Sequence, residues 1–257
     1  MANPLSNMKN SGKVEDDTDH IGGGFQALKS GAYPLTVDKA FFGLSSGGAN
    51  TVTVWLTGER GAQLRETFYV TSGTKKGCKN TYIKNKGKAN ESEHYLPGFN
   101  AVNSLCLLTV GEELTSEDIE VQKKMINLYS FEESKEVATE VDMIVSICGE
   151  KIVAGVFHQI VDKKKLNDDT GDYNPTGETK EVNEINKFFC AKEGYENLTL
   201  IEINADKEEP LFYNDWVEKY TDVVMDKTDK TKAKPGAPRQ DGKAAPKKAI
   251  FGKKKAE

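Results

Sequence analysis

Hydrophobic and polar residues alternate with a period of two over three successive stretches, Tyr33–Leu44, Thr51–Thr57 and Gln63–Thr71, separated by the turn-forming runs SSGGAN and GERG. That period belongs to strands with one buried face, and short Gly-rich connections favour hairpins, so an antiparallel meander is predicted. In the second stretch Val52, Val54 and Leu56 share one face, opposite Thr51, Thr53, Trp55 and Thr57. In the third, Leu64, Phe68 and Val70 oppose Gln63, Arg65, Thr67, Tyr69 and Thr71. With the aliphatic faces turned to a core, Trp55, Arg65 and Tyr69 share the outer surface.

Beyond Pro97 the period changes. Phe99, Val102, Asn103, Cys106, Leu107 and Val110 recur at helical spacing up to Gly111, and a second short helix is expected at Ser116–Lys124 with Ser116 as its cap. Glu136–Cys148 and Glu150–Lys163 are rich in Val and Ile and predict a hairpin about Gly149. Three strands, a helix and two strands is the order of a five-stranded OB-fold barrel with a helix between its third and fourth strands. Leu166–Thr179 is polar and reads as a projecting loop, Glu181–Ala191 as a returning strand. Phe212, Trp216, Tyr220, Val223 and Val224 form the apolar stripe of a terminal helix that covers the barrel, with Trp216 in the core. Phe99, Phe188 and Phe189 are also expected to be structural.

Length and composition fit one main domain at residues 31–226, preceded by a polar, glycine-rich flexible arm at 1–30 and followed by a disordered basic tail at 227–257. The formal net charge of −5 conceals a division. From Lys227 onward 11 Lys and Arg face three acidic residues, a net +8 that leaves −13 on residues 1–226. Cys78, Cys106, Cys148 and Cys190 are far apart, with no CxxC pair and no apolar leader, which argues for a reducing compartment and against a disulfide framework. No run approaches the roughly 20 apolar residues of a membrane helix, so no membrane partner is expected.

The densest chemistry lies in Thr74–Lys88, TKKGCKNTYIKNKGK, where Lys75, Lys76, Lys79, Lys84, Lys86 and Lys88 surround Tyr82 and no acidic residue intervenes before Glu91. Cations beside aromatic strands are what a sequence-tolerant single-strand binder needs, ammonium groups for phosphates and flat rings for bases. A DNA-binding groove of Trp55, Arg65, Tyr69, Lys75, Lys76, Lys79, Tyr82, Lys84, Lys86 and Lys88 is therefore expected. Catalytic signatures are thin: GxxxxGK[ST], GxSxG, HExxH and the Rossmann glycine pattern are missing, and the protein is expected to be neither an enzyme nor dependent on a cofactor or metal. Cys78, His94 and Cys106 match no common zinc spacing, and the acidic runs at Glu15–Asp19 and Asp168–Asp172 have no EF-hand register. In the tail, Ile250 and Phe251, followed by Lys253, Lys254 and Lys255, could add DNA contacts or present a short linear motif to a partner.

Three stretches resemble bacteriophage single-stranded DNA-binding proteins of the replication type, in particular podoviral ones. They are GGGFQALKSGAYPLTVDKAFF at 22–42, the lysine loop leading into YLPGFNAVNSLCLLTVG at 95–111, and DKKKLNDDTGDYNPTGETKEVNEINKFF at 162–189. The resemblance implies an OB-fold core that coats exposed strands during phage replication and recombination in the cytoplasm of an infected bacterium, with a terminus recruiting other proteins. It departs in one respect: many such proteins end in an acidic tail, whereas this tail is basic. Rival readings are a regulator that contacts host RNA polymerase or a replication enzyme through the tail and, third, a nuclease with scattered carboxylates.

Overall fold

The structure, a computed structural model, describes residues 27–59, 62–130, 133–166 and 173–229. Its elements in order are β1 (Gly31–Leu44), β2 (Asn50–Gly58), β3 (Gln63–Tyr69), β4 (Thr81–Lys84), β5 (Ser92–Tyr95), α1 (Pro97–Thr109), β6 (Val121–Ser130), β7 (Lys135–Ile144), β8 (Lys151–Leu166), β9 (Tyr173–Phe189), α2 (Leu200–Asn204), α3 (Leu211–Tyr220) and β10 (Val224–Asp226). The molecule is mainly β, dominated by one large sheet whose path runs β10-β8-β1-β2-β3, with the β6–β7 hairpin and β9 attached off it and β4–β5 as a separate ribbon.

The predicted meander forms. β1 pairs antiparallel with β2, and β2 with β3 from Thr51↔Tyr69 to Thr57↔Gln63. Val52, Val54, Leu56 and Leu64 enter the main core, where α1 meets them with Phe99, Val102, Leu105 and Cys106. The helix can approach because its second residue is Gly98, where a Cβ would lie 2.3 Å from the Tyr69 carbonyl oxygen.

Other expectations need correction. No helix forms over Ser116–Lys124: Ser116 closes a local turn, its hydroxyl accepting the Asp118 N–H at 3.2 Å, and the chain enters β6 at Val121. The two Val- and Ile-rich segments do not form a hairpin with each other. β7 pairs along its length with β6 and meets β1 at Phe41↔Met143, whereas β8 pairs with β1 from Gly31↔Val156 to Thr36↔Lys151. Between them a short 3-10 turn at Val145–Ile147 and Gly149, at φ +88°, carry the chain along the same edge of β1. The Gly149 N–H donates to the Val37 carbonyl there. Most of the projecting loop expected at 166–179 is strand, because β8 and β9 continue their ladder out to Leu166↔Tyr173.

β1 and β3 run in one direction, and β8 and β9 pair antiparallel in turn, so β9 runs parallel to β3. The two share no ladder among the described residues. A side chain bridges the gap instead, with a Glu66 carboxylate oxygen accepting the Ile185 N–H at 3.4 Å. Glu66 sits on the core side of β3, and burial holds its carboxyl above the usual carboxylate range.

Two smaller clusters flank the main core. The β6–β7 hairpin lays Ile126, Val141 and Met143 over Phe41 on the outer side of the sheet. On the opposite flank α3 packs Trp216 against Phe157, with rings stacked at 5.6 Å, and Phe189, while the indole N–H donates to Asn186 Oδ1 at 2.9 Å. Trp216 is buried as expected, and Gly155 admits it, since a Cβ there would lie 2.9 Å from the indole. Val224, expected on the helix, instead starts β10 beside His158 of β8. The arm assigned to 1–30 is anchored at its described end: Leu28 exchanges hydrogen bonds with the Asn183 side chain at 2.9 and 2.8 Å, and the Ser30 hydroxyl accepts the His158 N–H at 2.8 Å.

Candidate nucleic-acid interface

Register assembles the first group of side chains. Lys39 of β1 and Arg65 of β3 are the cross-strand partners of Trp55 on β2, one on each side. The Lys39 ammonium lies 4.8 Å and the Arg65 guanidinium 5.1 Å from the indole centroid, so two cations attend one π-system, a geometry worth about 0.5–2 kcal/mol per contact. Phe41 meets the ring edge-on at 6.3 Å. Trp55 is therefore half-buried on an outer face that the β6–β7 hairpin partly covers, rather than openly displayed. Its indole N–H is buried without a hydrogen-bond partner among the described residues, an arrangement that costs about 1–3 kcal/mol. Together with Asp38, Gln63, Val182 and Asn183 this row lines a groove of about 640 Å³.

Further along β3 the outward side chains after Arg65 are Thr67 and Tyr69. Thr67 exchanges a 3.0 Å hydroxyl contact with Thr53, and Tyr69, 57% exposed, opens onto a hollow of about 780 Å³ that includes Lys75 and Lys76. From Arg65 to Tyr69 the strand advances about 13 Å. The lysine loop is held here by backbone bonds, because the Thr74 N–H donates to the Gly47 carbonyl at 3.0 Å and so ties the loop to the β1–β2 turn.

Lys75, Lys76, Lys79, Lys84, Lys86 and Lys88 are all exposed, and none forms an ion pair with another described residue. Lys29, Lys39, Lys123, Lys135 and Lys163, by contrast, each have a carboxylate within 4 Å. The loop's cations are thus unengaged and disposed toward solvent.

The structure divides the predicted groove in two. Trp55, Arg65, Tyr69, Lys75 and Lys76 follow β3, but Tyr82 belongs to the β4–β5 ribbon, where it pairs with His94 at 5.9 Å between ring centroids. That ribbon leans toward α1 and β9, and Tyr82 opens with Tyr95, Asn100 and Lys187 onto a separate cleft of about 550 Å³. Lys84, Lys86 and Lys88 ride on the same ribbon and its turn. Sequence reasoning missed Lys39, Asn183, Tyr95 and Lys187; alternation from Phe41 does place Lys39 on the outer face, but its partner across the sheet depends on the bulge between Val37 and Lys39. Ile250, Phe251, Lys253, Lys254 and Lys255 lie outside the described residues.

Cys78, His94 and Cys106 are not brought together as ligands: Cys106 is sealed in the core with its thiol pushed up to about 12 by burial, while Cys78 is exposed on the loop. Among the described residues no three His, Cys, Asp or Glu side chains gather as a metal site, and no helix is long and apolar enough to cross a membrane. No family model matches the chain, and no curated protein sequence matches it significantly.

Proposed function

We propose that this protein binds single-stranded DNA with little base preference and coats it, as the resemblance to phage replication proteins implies. The observation that carries this reading is the track along the outer face of β2 and β3: Trp55 and Tyr69 about two nucleotides' reach apart, flanked by Arg65, Lys39, Lys75 and Lys76. Rings offer stacking to any base, and the ammonium groups of Lys75 and Lys76, without an ion pair among the described residues, offer counterion release to any phosphate, so neither reads sequence. A chain that is strongly acidic outside its tail needs such a local patch to attract a polyanion. The Lys39 and Arg65 side chains over the indole set the manner of binding. A base stacks on Trp55 as one cation swings from the ring to the adjacent phosphate.

The frame supports an OB-type architecture made of β1, β2, β3, α1, β8 and β9, with the β6–β7 hairpin inserted before the fourth strand and Glu66 standing where the third and fifth strands would otherwise pair. In that fold the outer face of the second and third strands is the ligand face.

Tryptophan emission tests the reading, since the chain has two indoles and Trp216 is buried under α3. Oligothymidylate should quench Trp55, with an affinity that falls as salt rises, and oligoadenylate should do nearly as well. Emission unchanged by either oligomer, with no retardation in a gel, would overturn it.

A further inference from the structure

The lobe formed by α2 and α3 leaves large apolar side chains partly uncovered, among them Phe212, one side of whose ring meets Phe189 at 6.3 Å and Lys187 at 5.6 Å. α3 is held to the sheet by Tyr213, Trp216 and Tyr220, which pack on Phe157 and Phe189. Ile201 is nevertheless 73% exposed, Leu211 54% and Phe212 47%. They sit on abutting elements, because the Phe212 N–H donates to a Glu202 carboxylate oxygen at 2.8 Å. Exposed apolar groups collected at one place on a polar surface mark a contact site more often than scattered ones do.

The surroundings select the occupant. Residues 192–222 contain nine Asp and Glu against three Lys, a net −6, so this is a surface that repels DNA and suits an apolar segment bearing positive charge. Such a segment is supplied by the chain itself. Residues 230–257 hold ten Lys and Arg against two acidic residues, and their only apolar side chains beyond Ala and Pro are Ile250 and Phe251, followed at once by Lys253, Lys254 and Lys255. The described chain also ends nearby: β10 follows α3 directly, and the Asp229 N–H is bonded to Asp162 at 2.9 Å on the neighbouring strand. The twenty residues from 230 to 249 reach up to ~70 Å when extended, ample for return to α3, and tethering raises the local concentration of the segment well above that of any free competitor.

We propose that Ile250–Lys255 docks in cis on the α2–α3 lobe, with Ile250 and Phe251 covering Ile201, Leu211 and Phe212 and the three lysines facing Glu202, Glu208 and Glu209. The docked segment is withheld from both nucleic acid and partner proteins until something binds it more tightly. This does not depend on the β2–β3 track being a DNA site.

Zero-length carbodiimide coupling of the full chain, in an equal mixture of ¹⁵N-labelled and unlabelled protein, tests it by joining lysines to adjacent carboxylates. The expected products link Lys253–Lys255 to carboxylates of residues 202–218 within one isotopic species. Replacing Ile250→Asp and Phe251→Asp together should lower their yield about tenfold, the ratio that accompanies about 1.4 kcal/mol of lost docking energy. Links of which about half join a labelled to an unlabelled copy, as coupling between molecules gives in an equal mixture, links spread over acidic residues throughout the surface, or a yield indifferent to the double substitution would each overturn the proposal.

Discussion

Trp55 shows how a residue's surroundings decide what it can do. An indole with an open face stacks at once, whereas this one lies between Lys39 and Arg65 with its N–H buried and unpartnered, so some of its stacking energy goes into moving a cation aside. Trp55→Ala should weaken oligothymidylate binding by about 1–3 kcal/mol, and Tyr69→Ala by a similar amount, measured by fluorescence polarisation of a labelled oligomer. The double change Lys75→Ala and Lys76→Ala should act differently, lowering the slope of log affinity against log salt by about 1.4 if each lysine neutralises one phosphate. A loss of affinity with the slope unchanged would remove those two lysines from the phosphate path. Alternation alone gave the outer placement of Trp55, Arg65 and Tyr69. It could not give the half-burial of Trp55, which comes from Ile126, Val141 and Met143 on strands some seventy residues or more further along.

Among the elements, those with a single local cause are the ones legible in the chain. The meander follows from period-two alternation and its turns, and α1 from Pro97 and the spacing of Phe99, Val102 and Cys106. β6 was hidden because Ser116 looks like a helix cap until its hydroxyl is committed to a turn, and because the partner of Val121–Ser130 is selected by β7. Likewise the arm of β8 and β9 is built from polar residues whose ladder, not their hydropathy, keeps them extended. One contact between elements bears on the track directly. Gly98→Ala would drive a methyl group into the Tyr69 backbone, so it should cost on the order of 1–3 kcal/mol in urea unfolding and weaken DNA binding by shifting the strand end that carries Tyr69. Unaltered stability and binding would mean that α1 can slide without moving β3.

At the scale of the whole molecule, charge is sorted by place: exposed lysines on the loop beside β3, carboxylates on the α2–α3 lobe, and a half-buried Glu66 where β3 passes β9. Burial raises the Glu66 carboxyl above its ordinary 4.5, so the stability tied to its protonated form is complete below that value and is lost as pH rises through the raised one. Glu66→Gln keeps an acceptor for the Ile185 N–H without the half-buried charge. The variant should melt higher than the parent at pH 7, with the difference shrinking as pH falls toward 4; a difference that grows in acid would reverse the assignment. Glu66 was passed over in the sequence because its place at the β3–β9 gap depends on how the sheet curves, which local pattern does not encode. The central claim is that bases lie along β2 and β3, and ultraviolet cross-linking of oligothymidylate to the full-length protein, with the adducts mapped by mass spectrometry, tests it most directly. Adducts concentrated on the peptides that hold Trp55 and Tyr69 are predicted, whereas adducts confined to the β4–β5 ribbon or the C-terminal tail would contradict it.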